Sequence, residues 1–196
     1  MAATSNPGKL KEFHRILEPL GIQVLSPKEL GLAVEVEETA GTFEGNARLK
    51  AEAYFSASGM PTLADDSGLC IDALGGAPGV YSARFEGEDT PYPVKMQKIL
   101  DLMQGKTGEE RSARFVCALV CVLGPGRELC AVESCEGYVG EKIEGAHGFG
   151  YDPIFVEKET GKSFASLSDE EKDRHSHRGK SLRKMQRLLW EELGQR

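Results

Sequence analysis

Apolar positions near the start of the chain follow two different rhythms. In KLKEFHRILEPL, residues 9–20, Leu10, Phe13, Ile16, Leu17 and Leu20 recur at three- and four-residue intervals and Gly21 follows. This spacing predicts an amphipathic helix with a glycine stop. IQVL, 22–25, predicts a short buried strand, and Ser26 with Pro27 and Glu29 predicts a brief capped turn. A second helix is expected from Thr42 to Ser58, closed by Gly59. PTLA, 61–64, and LCIDAL, 69–74, read as two strands, whereas GGAPGVYSARF, 75–85, fits neither period and reads as a glycine-rich loop. PVKMQKILDLMQ, 93–104, returns to helical spacing.

The middle of the chain changes character. RSARFVCALVCVL and LCAVESCEGYVG, joined by GPGRE, predict two long strands in a hairpin, with Phe115, Cys117, Leu119, Cys121 and Leu123 alternating onto one face. Ser168 and Glu171 form another capping box. Leu182, Met185, Leu188, Leu189 and Leu193 then make one stripe on a closing helix. Helices interleaved with strands, followed by a hairpin, predict an α/β protein built on a mixed sheet rather than a purely doubly wound one.

Composition narrows the class. With 196 residues, 40% hydrophobic and 28% charged, the chain suits one domain, at most two lobes. No run approaches the roughly 18 apolar residues of a membrane span, and MAATSNPGK lacks a signal-peptide core, so a cytoplasmic address is expected. Five cysteines cannot all pair; Cys117, Cys121, Cys130 and Cys135 fall in apolar runs and read as reduced core thiols. A net charge of -7 argues against nucleic-acid binding through the overall field, so a polyanionic ligand would need local cations or a metal.

Four segments carry polar chemistry beyond what folding requires. TSNPGK, Thr4 to Lys9, leads into the first helix, where free backbone N–H groups and the positive end of the dipole suit phosphate; a helix cap with a solvated lysine is the structural alternative. Glu35, Glu37 and Glu38 crowd ahead of the second helix, where the dipole favours negative charge and a divalent metal would equally use a carboxylate. That helix sets Asn46 and Lys50 four residues apart, an amide and an ammonium on one face. LADDSGL, 63–69, places Asp65 beside Asp66 after an apolar run. Neighbouring side chains of an extended segment point to opposite faces, so both acids share a pocket only if the strand has already ended. Asp-Ser-Gly is good turn chemistry, and Mg²⁺ is the hard cation that would favour a carboxylate there. GFGYDPIF, 148–155, offers rings and one acid for base stacking, while Lys172, His175, His177, Arg178 and Lys180 form a cationic cluster in an acidic protein. His175 and His177 lack zinc spacing.

In order along the chain, TSNPGK, EETAGTFEGNA, LADDSGL, GGAPGVYSAR, GFGYDPIF and SHRG resemble the inosine-triphosphate pyrophosphatase family nearly end to end. The resemblance implies Mg²⁺-dependent hydrolysis of dITP, ITP and XTP to the monophosphate and pyrophosphate. It also implies a homodimer, and a long twisted mixed sheet flanked by helices with a substrate cleft between two lobes. Carried over by motif, Thr4, Ser5, Asn6, Gly8 and Lys9 would hold the triphosphate. Glu38 and Asp66 would bear the metal, Asp66 with a general-base role, and Ser67 would contact substrate. Phe149, Gly150, Tyr151 and Asp152 would take the base, with Lys172, His177 and Arg178 completing its pocket. The residues themselves leave Asp65, Asp66 and a metal-bound hydroxide open as activators of water. Two features depart from the family pattern: the apolar start MAAT is short, and His147 stands where a small residue is common.

Two other readings share these features. A pyrophosphatase for other modified nucleotides would use the same chemistry without needing the SHRG pocket. A non-catalytic nucleotide sensor would use the same contacts but have little reason for both Glu38 and Asp66. A serine-nucleophile hydrolase is disfavoured, since G-x-S-x-G does not occur.

Overall fold

The computed structural model describes residues 1–194. Its helices are α1 (Pro7–Leu17), α2 (Phe43–Ser58), α3 (Tyr92–Leu102), α4 (Asp169–His175) and α5 (His177–Gly194). Its strands are β1 (Thr62–Ile71), β2 (Ser112–Gly124), β3 (Arg127–Val139) and β4 (Phe155–Glu157), hydrogen-bonded in the order β1-β2-β3-β4 as an open antiparallel sheet. In β3 and β4, Gly137, Tyr138 and Val139 face Glu157, Val156 and Phe155. A parallel bridge, Ala2 to Leu63, adds the chain start to the outer edge of β1. The expected α/β class is therefore observed, and the short MAAT segment is anchored by that bridge and by the Ala3 N–H donating to Leu63 O at 2.7 Å.

Two predicted elements differ. Residues 22–25 form no strand: Val24 is buried and Leu25 O accepts the Ala2 N–H, but no ladder follows. The strands expected at 61–64 and 69–74 are one strand, β1, which runs through Asp65, Asp66 and Ser67 before Asp72–Leu74 turns as a 3-10 segment. Charge compensation, described below, is what lets the two acids stay extended and buried.

The chain divides into two compact units, 1–66 with 117–133 and the segment from 178 onward, and 67–116 with 134–177. In the first, α1 is capped by Asn6, starts on Pro7 and buries Phe13 and Leu17; Gly21 at φ +77° ends the turn after it. Its apolar face packs with Leu63, Cys117, Leu119, Cys121, Leu182 and Met185. The stripe expected on α5 is thus seated at Leu182 and Met185, with Leu188 and Leu189 half-buried; the Leu193 side chain lies outside the described residues. Helix α2 presents Ala47 and Ala51, with half-buried Tyr54 and Phe55 beside them, to Ala64, Val120 and Val122. From the same helix Asn46 and Lys50 reach the Asp66 carboxylate of β1. Residues 117–122 of β2 are buried on both faces, one packing against α1 and α5 and the other against α2.

The second unit is centred on Leu69, Ile71, Met96, Ile99, Phe115, Tyr151, Phe155 and Phe164. The glycine-rich loop contains a 3-10 segment, Gly79–Arg84, tied inward by Ser82, whose Oγ accepts the Leu69 N–H at 2.9 Å and donates to Gly79 O at 2.7 Å. All five cysteines are free thiols. Burial pushes Cys117 up to about 12 and Cys121 up to about 11, so neither is a nucleophile at neutral pH.

Candidate active site

The pleat of β1 sends its adjacent acids in opposite directions. Asp65, 1% exposed, accepts from Lys9 Nζ at 2.9 Å and from Arg178 Nη2 at 3.2 Å. Burial alone would push its carboxyl up, but the positive charges of Lys9, Arg178 and Lys50 outweigh burial and hold it far below the usual carboxylate range. Arg178 in turn donates through Nη1 to Glu12, a buried acid on α1. Asp66 faces the other side: its Oδ2 accepts from Asn46 Nδ2 at 3.1 Å, and its Oδ1 lies 3.8 Å from Lys50 Nζ. Burial raises its carboxyl, helped by the nearby Glu38 charge and only partly offset by Lys50, Asn46 and Lys9.

Glu38 joins this second group. Along residues 32–40 burial alternates with period two, so Glu35 and Glu37 are exposed while Glu38 turns inward. Tyr54 Oη donates to Val34 O, and Asn46 Oδ1 accepts the Ala40 N–H at 2.9 Å, which ties the segment to α2. Lys50 Nζ donates to Glu38 Oε1 at 2.6 Å. Burial would lower the Lys50 ammonium, but Asp65, Asp66 and Glu38 outweigh it and raise it. Glu38, Asp66 and Lys50 thus place two carboxylates around one positive charge. All the acceptor atoms are oxygens, the donor set a hard divalent cation takes, so these residues fit Mg²⁺.

At the start of α1, Asn6 Oδ1 accepts the Gly8 and Lys9 amides at 2.9 and 3.2 Å, and Thr4 Oγ1 accepts the Asn6 amide. Asn6 thus caps α1, while Lys9 sends its ammonium to Asp65 rather than to solvent. Ser5 is exposed.

The second unit holds Phe149, Gly150, Tyr151, Asp152, Lys172 and His177, together with half-buried Ser67 on β1. Asp152 Oδ2 accepts from Lys172 Nζ at 2.8 Å and from the Phe149 N–H at 2.8 Å. That ammonium lies 4.5 Å from the Phe149 ring centroid. Gly148 is required beside it: at φ +74° a Cβ would fall 2.1 Å from Asp152 Oδ2. The His177 ring stacks on Phe115 at 4.6 Å and 10°. Tyr151 is part of the core, its hydroxyl donating to Ser82 O and its ring edge-on to Tyr92 at 5.2 Å. His147 is exposed, its N–H donating to Ala165 O.

Arg178 differs from the grouping the motif suggested. Its guanidinium is engaged by Glu12 and Asp65 in the first unit, whereas Lys172 and His177 belong to the second. His177 and Arg178 are consecutive on α5, so their side chains leave the axis about 100° apart. Sequence reasoning also gave no role to Glu12. The available signal was an acid next to Phe13 on the apolar face of α1, which requires a cation once buried. Asn46 and Lys50, an amide and an ammonium on one helix face, do share a site, since both lie at the Asp66 carboxylate. One further group, Glu157, Glu159 and His175, brings donor atoms within 4.8 Å of one another. There His175 Nδ1 lies 3.2 Å from Glu159, and the Glu157 carboxylate accepts the Thr160 N–H.

The protein is of the α/β class, with a carboxylate–lysine cluster in one unit and a lysine over an aromatic ring in the other. The chain belongs to the Ham1 family, whose model matches residues 1–188. It is 50% identical over 188 residues to a dITP/XTP pyrophosphatase of Bacillus subtilis, covering 95% of this chain and 94% of that one. A dITP/XTP pyrophosphatase of Geobacillus kaustophilus is 46% identical over 192 residues, covering 97% and 93%. Among solved structures, the Ham1 protein of Staphylococcus aureus matches with a TM-score of 0.86 at 37% identity, and a HAM1 protein from Coxiella burnetii with 0.87 at 35%, each covering 97% of both chains. Among the described residues no helix is long and apolar enough to cross a membrane.

Proposed function

We propose that this chain is a nucleoside-triphosphate pyrophosphatase that hydrolyses dITP, ITP and XTP to the monophosphate and pyrophosphate, cleansing the nucleotide pool with Mg²⁺ as cofactor. The observation that carries the reading is the inward pair Glu38 and Asp66 around the Lys50 ammonium. Glu38 and Asp66 would hold the metal, which when bound supplies charge neutralisation and activates water. Asp66 is the proposed catalytic carboxylate, because Asp65 is already committed to Lys9 and Arg178. Thr4 to Lys9 and Ser67 would receive the triphosphate, Lys9 contributing positive charge from the first turn of α1.

Recognition of the base falls to the second unit. Phe149 supplies a ring to stack on, and its position is fixed by Lys172 and the Asp152 carboxylate. Lys172 and His177 are the donors proposed for a 6-keto oxygen, which adenine lacks; a donor left unpaired by adenine disfavours it. A cytoplasmic homodimer is the form expected from the resemblance and the composition.

Product analysis with dITP and Mg²⁺, beside dATP, dGTP and dTTP, tests the reading. The expected products are dIMP and pyrophosphate, with little turnover of the other three. Release of single orthophosphate, or equal turnover of all four, overturns it.

A further inference from the structure

The cation position between Glu38 and Asp66 already holds a positive charge of the protein's own. Lys50 Nζ stands 2.6 Å from Glu38 Oε1 and 3.8 Å from Asp66 Oδ1, at the end of a side chain that is 15% exposed. Its surroundings are fixed from two directions. Asn46, fully buried one turn earlier on α2, donates to Asp66 Oδ2 and accepts from the Ala40 N–H two residues beyond Glu38. Asp66 Oδ1 and Glu38 Oε1 are therefore both within reach of one ammonium.

We propose that Lys50 is a positioning residue that acts as a built-in counter-ion: a divalent metal enters the Glu38–Asp66 pair only by displacing the Lys50 ammonium from Glu38. The inference rests on the reading that Glu38 and Asp66 bear the metal. Mg²⁺ binds carboxylate oxygen at about 2.0–2.1 Å, so metal and ammonium on the same Glu38 oxygen would set a dication against a cation within a few ångströms. Once displaced, the ammonium regains a partner when an anion arrives with the metal. A triphosphate is such an anion. Metal binding and triphosphate binding are then coupled through Lys50, and by linkage each strengthens the other. A bare lysine–carboxylate pair, read only as structure, implies no such coupling.

The test measures Mg²⁺ affinity by isothermal titration calorimetry at one fixed pH, on the full chain. Each protein is titrated alone and with a dITP analogue whose α,β-bridging oxygen is replaced by methylene. Lys50→Met is expected to bind Mg²⁺ alone about tenfold more tightly than the unsubstituted protein and to lose most of the enhancement given by the analogue. Lys50→Arg, which keeps the charge, is expected to retain the weak affinity and the enhancement. Lys50→Gln serves in place of Lys50→Met if the latter does not fold. Equal or weaker Mg²⁺ binding by the neutral variants, or an undiminished enhancement, overturns the proposal. Glu38→Gln and Asp66→Asn separate the two layers of the argument. If neither changes Mg²⁺ affinity, the metal is not held by this pair and the underlying reading fails. If both weaken it while Lys50→Met does not tighten it, only the counter-ion role fails.

Discussion

The two units satisfy buried polar groups by different mixtures of means. In the first, Glu12, Glu38, Asp65 and Asp66 meet Lys9, Lys50 and Arg178, so charge is balanced by charge. In the second, Lys172 pairs with Asp152 but also lies over the Phe149 ring, His177 stacks on Phe115, and Arg111 and Lys95 donate to backbone carbonyls, so rings and carbonyls share the work with charge. Under the proposed function, the first arrangement would take a cation and a polyanion, and the second a flat ligand with polar edges. Even inside the first unit the contrast recurs at one peptide bond, with Asp65 closed in by cations and Asp66 facing the proposed metal position.

The sharpest way to break this contrast is at Asp66. Asp66→Asn is expected to lower kcat for dITP by about 10²–10⁴-fold while the protein stays folded, read by steady-state kinetics beside circular dichroism. Wild-type kcat would move the catalytic role elsewhere. Asp65→Asn is expected to act on stability instead, costing about 3–5 kcal/mol in urea unfolding because Lys9 and Arg178 lose their buried counter-charge. An unfolding midpoint equal to that of the unsubstituted protein would refute this.

Titration of metal-free protein separates the same two acids by sign. The Asp65 carboxyl is depressed in the folded state, so its contribution is present above the ordinary carboxylate value of 3.8 and is lost as pH falls through its folded pKa. The Asp66 carboxyl is raised, so its ionised form weakens the fold at neutral pH, and that penalty disappears as pH falls through its raised pKa and then 3.8. The stability gap between unsubstituted protein and Asp65→Asn should therefore close on acidification. Asp66→Asn should begin slightly more stable than the unsubstituted protein and converge with it. Parallel profiles for the two variants would contradict the assignment.

In the second unit, Phe149→Ala is expected to raise KM for dITP about tenfold with a smaller change in kcat, since it removes a stacking surface worth about 1–3 kcal/mol per base. A pure kcat loss would move Phe149 out of base recognition. The smallest effect is expected at the surface: Arg48→Ala, which breaks the half-exposed pairs with Glu44 and Glu128, should cost no more than about 1 kcal/mol and leave kinetics unchanged.

Local rules carried much of the fold. Helices α1, α2 and α3 and the β2–β3 hairpin follow from apolar spacing and from Asn6, Thr42, Gly21 and Gly59 at their ends. The ordered motifs carried the family. Local rules failed where the deciding partner was distant in sequence. Asp-Ser-Gly reads as a turn until Asp65 is seen to face Arg178, 113 positions away, and then burial of an extended strand is compensated. Residues 22–25 have strand composition but find no ladder, because strand formation needs a neighbour as well as a propensity. Arg178 sits beside His177 in sequence yet is drawn to Glu12 by a charge on α1 that no spacing rule reports.

The continuity of β1 also constrains how this segment can change by insertion or deletion. Because the pleat alternates strictly, removing or adding a single residue between Leu63 and Asp65 would exchange the faces of the two acids. The proposed catalytic carboxylate would then point at Lys9 and Arg178, and its neighbour at Lys50, without any change in the chemical groups present. Length along this strand therefore carries as much information as residue identity, and a two-residue change is the smallest that keeps the parity.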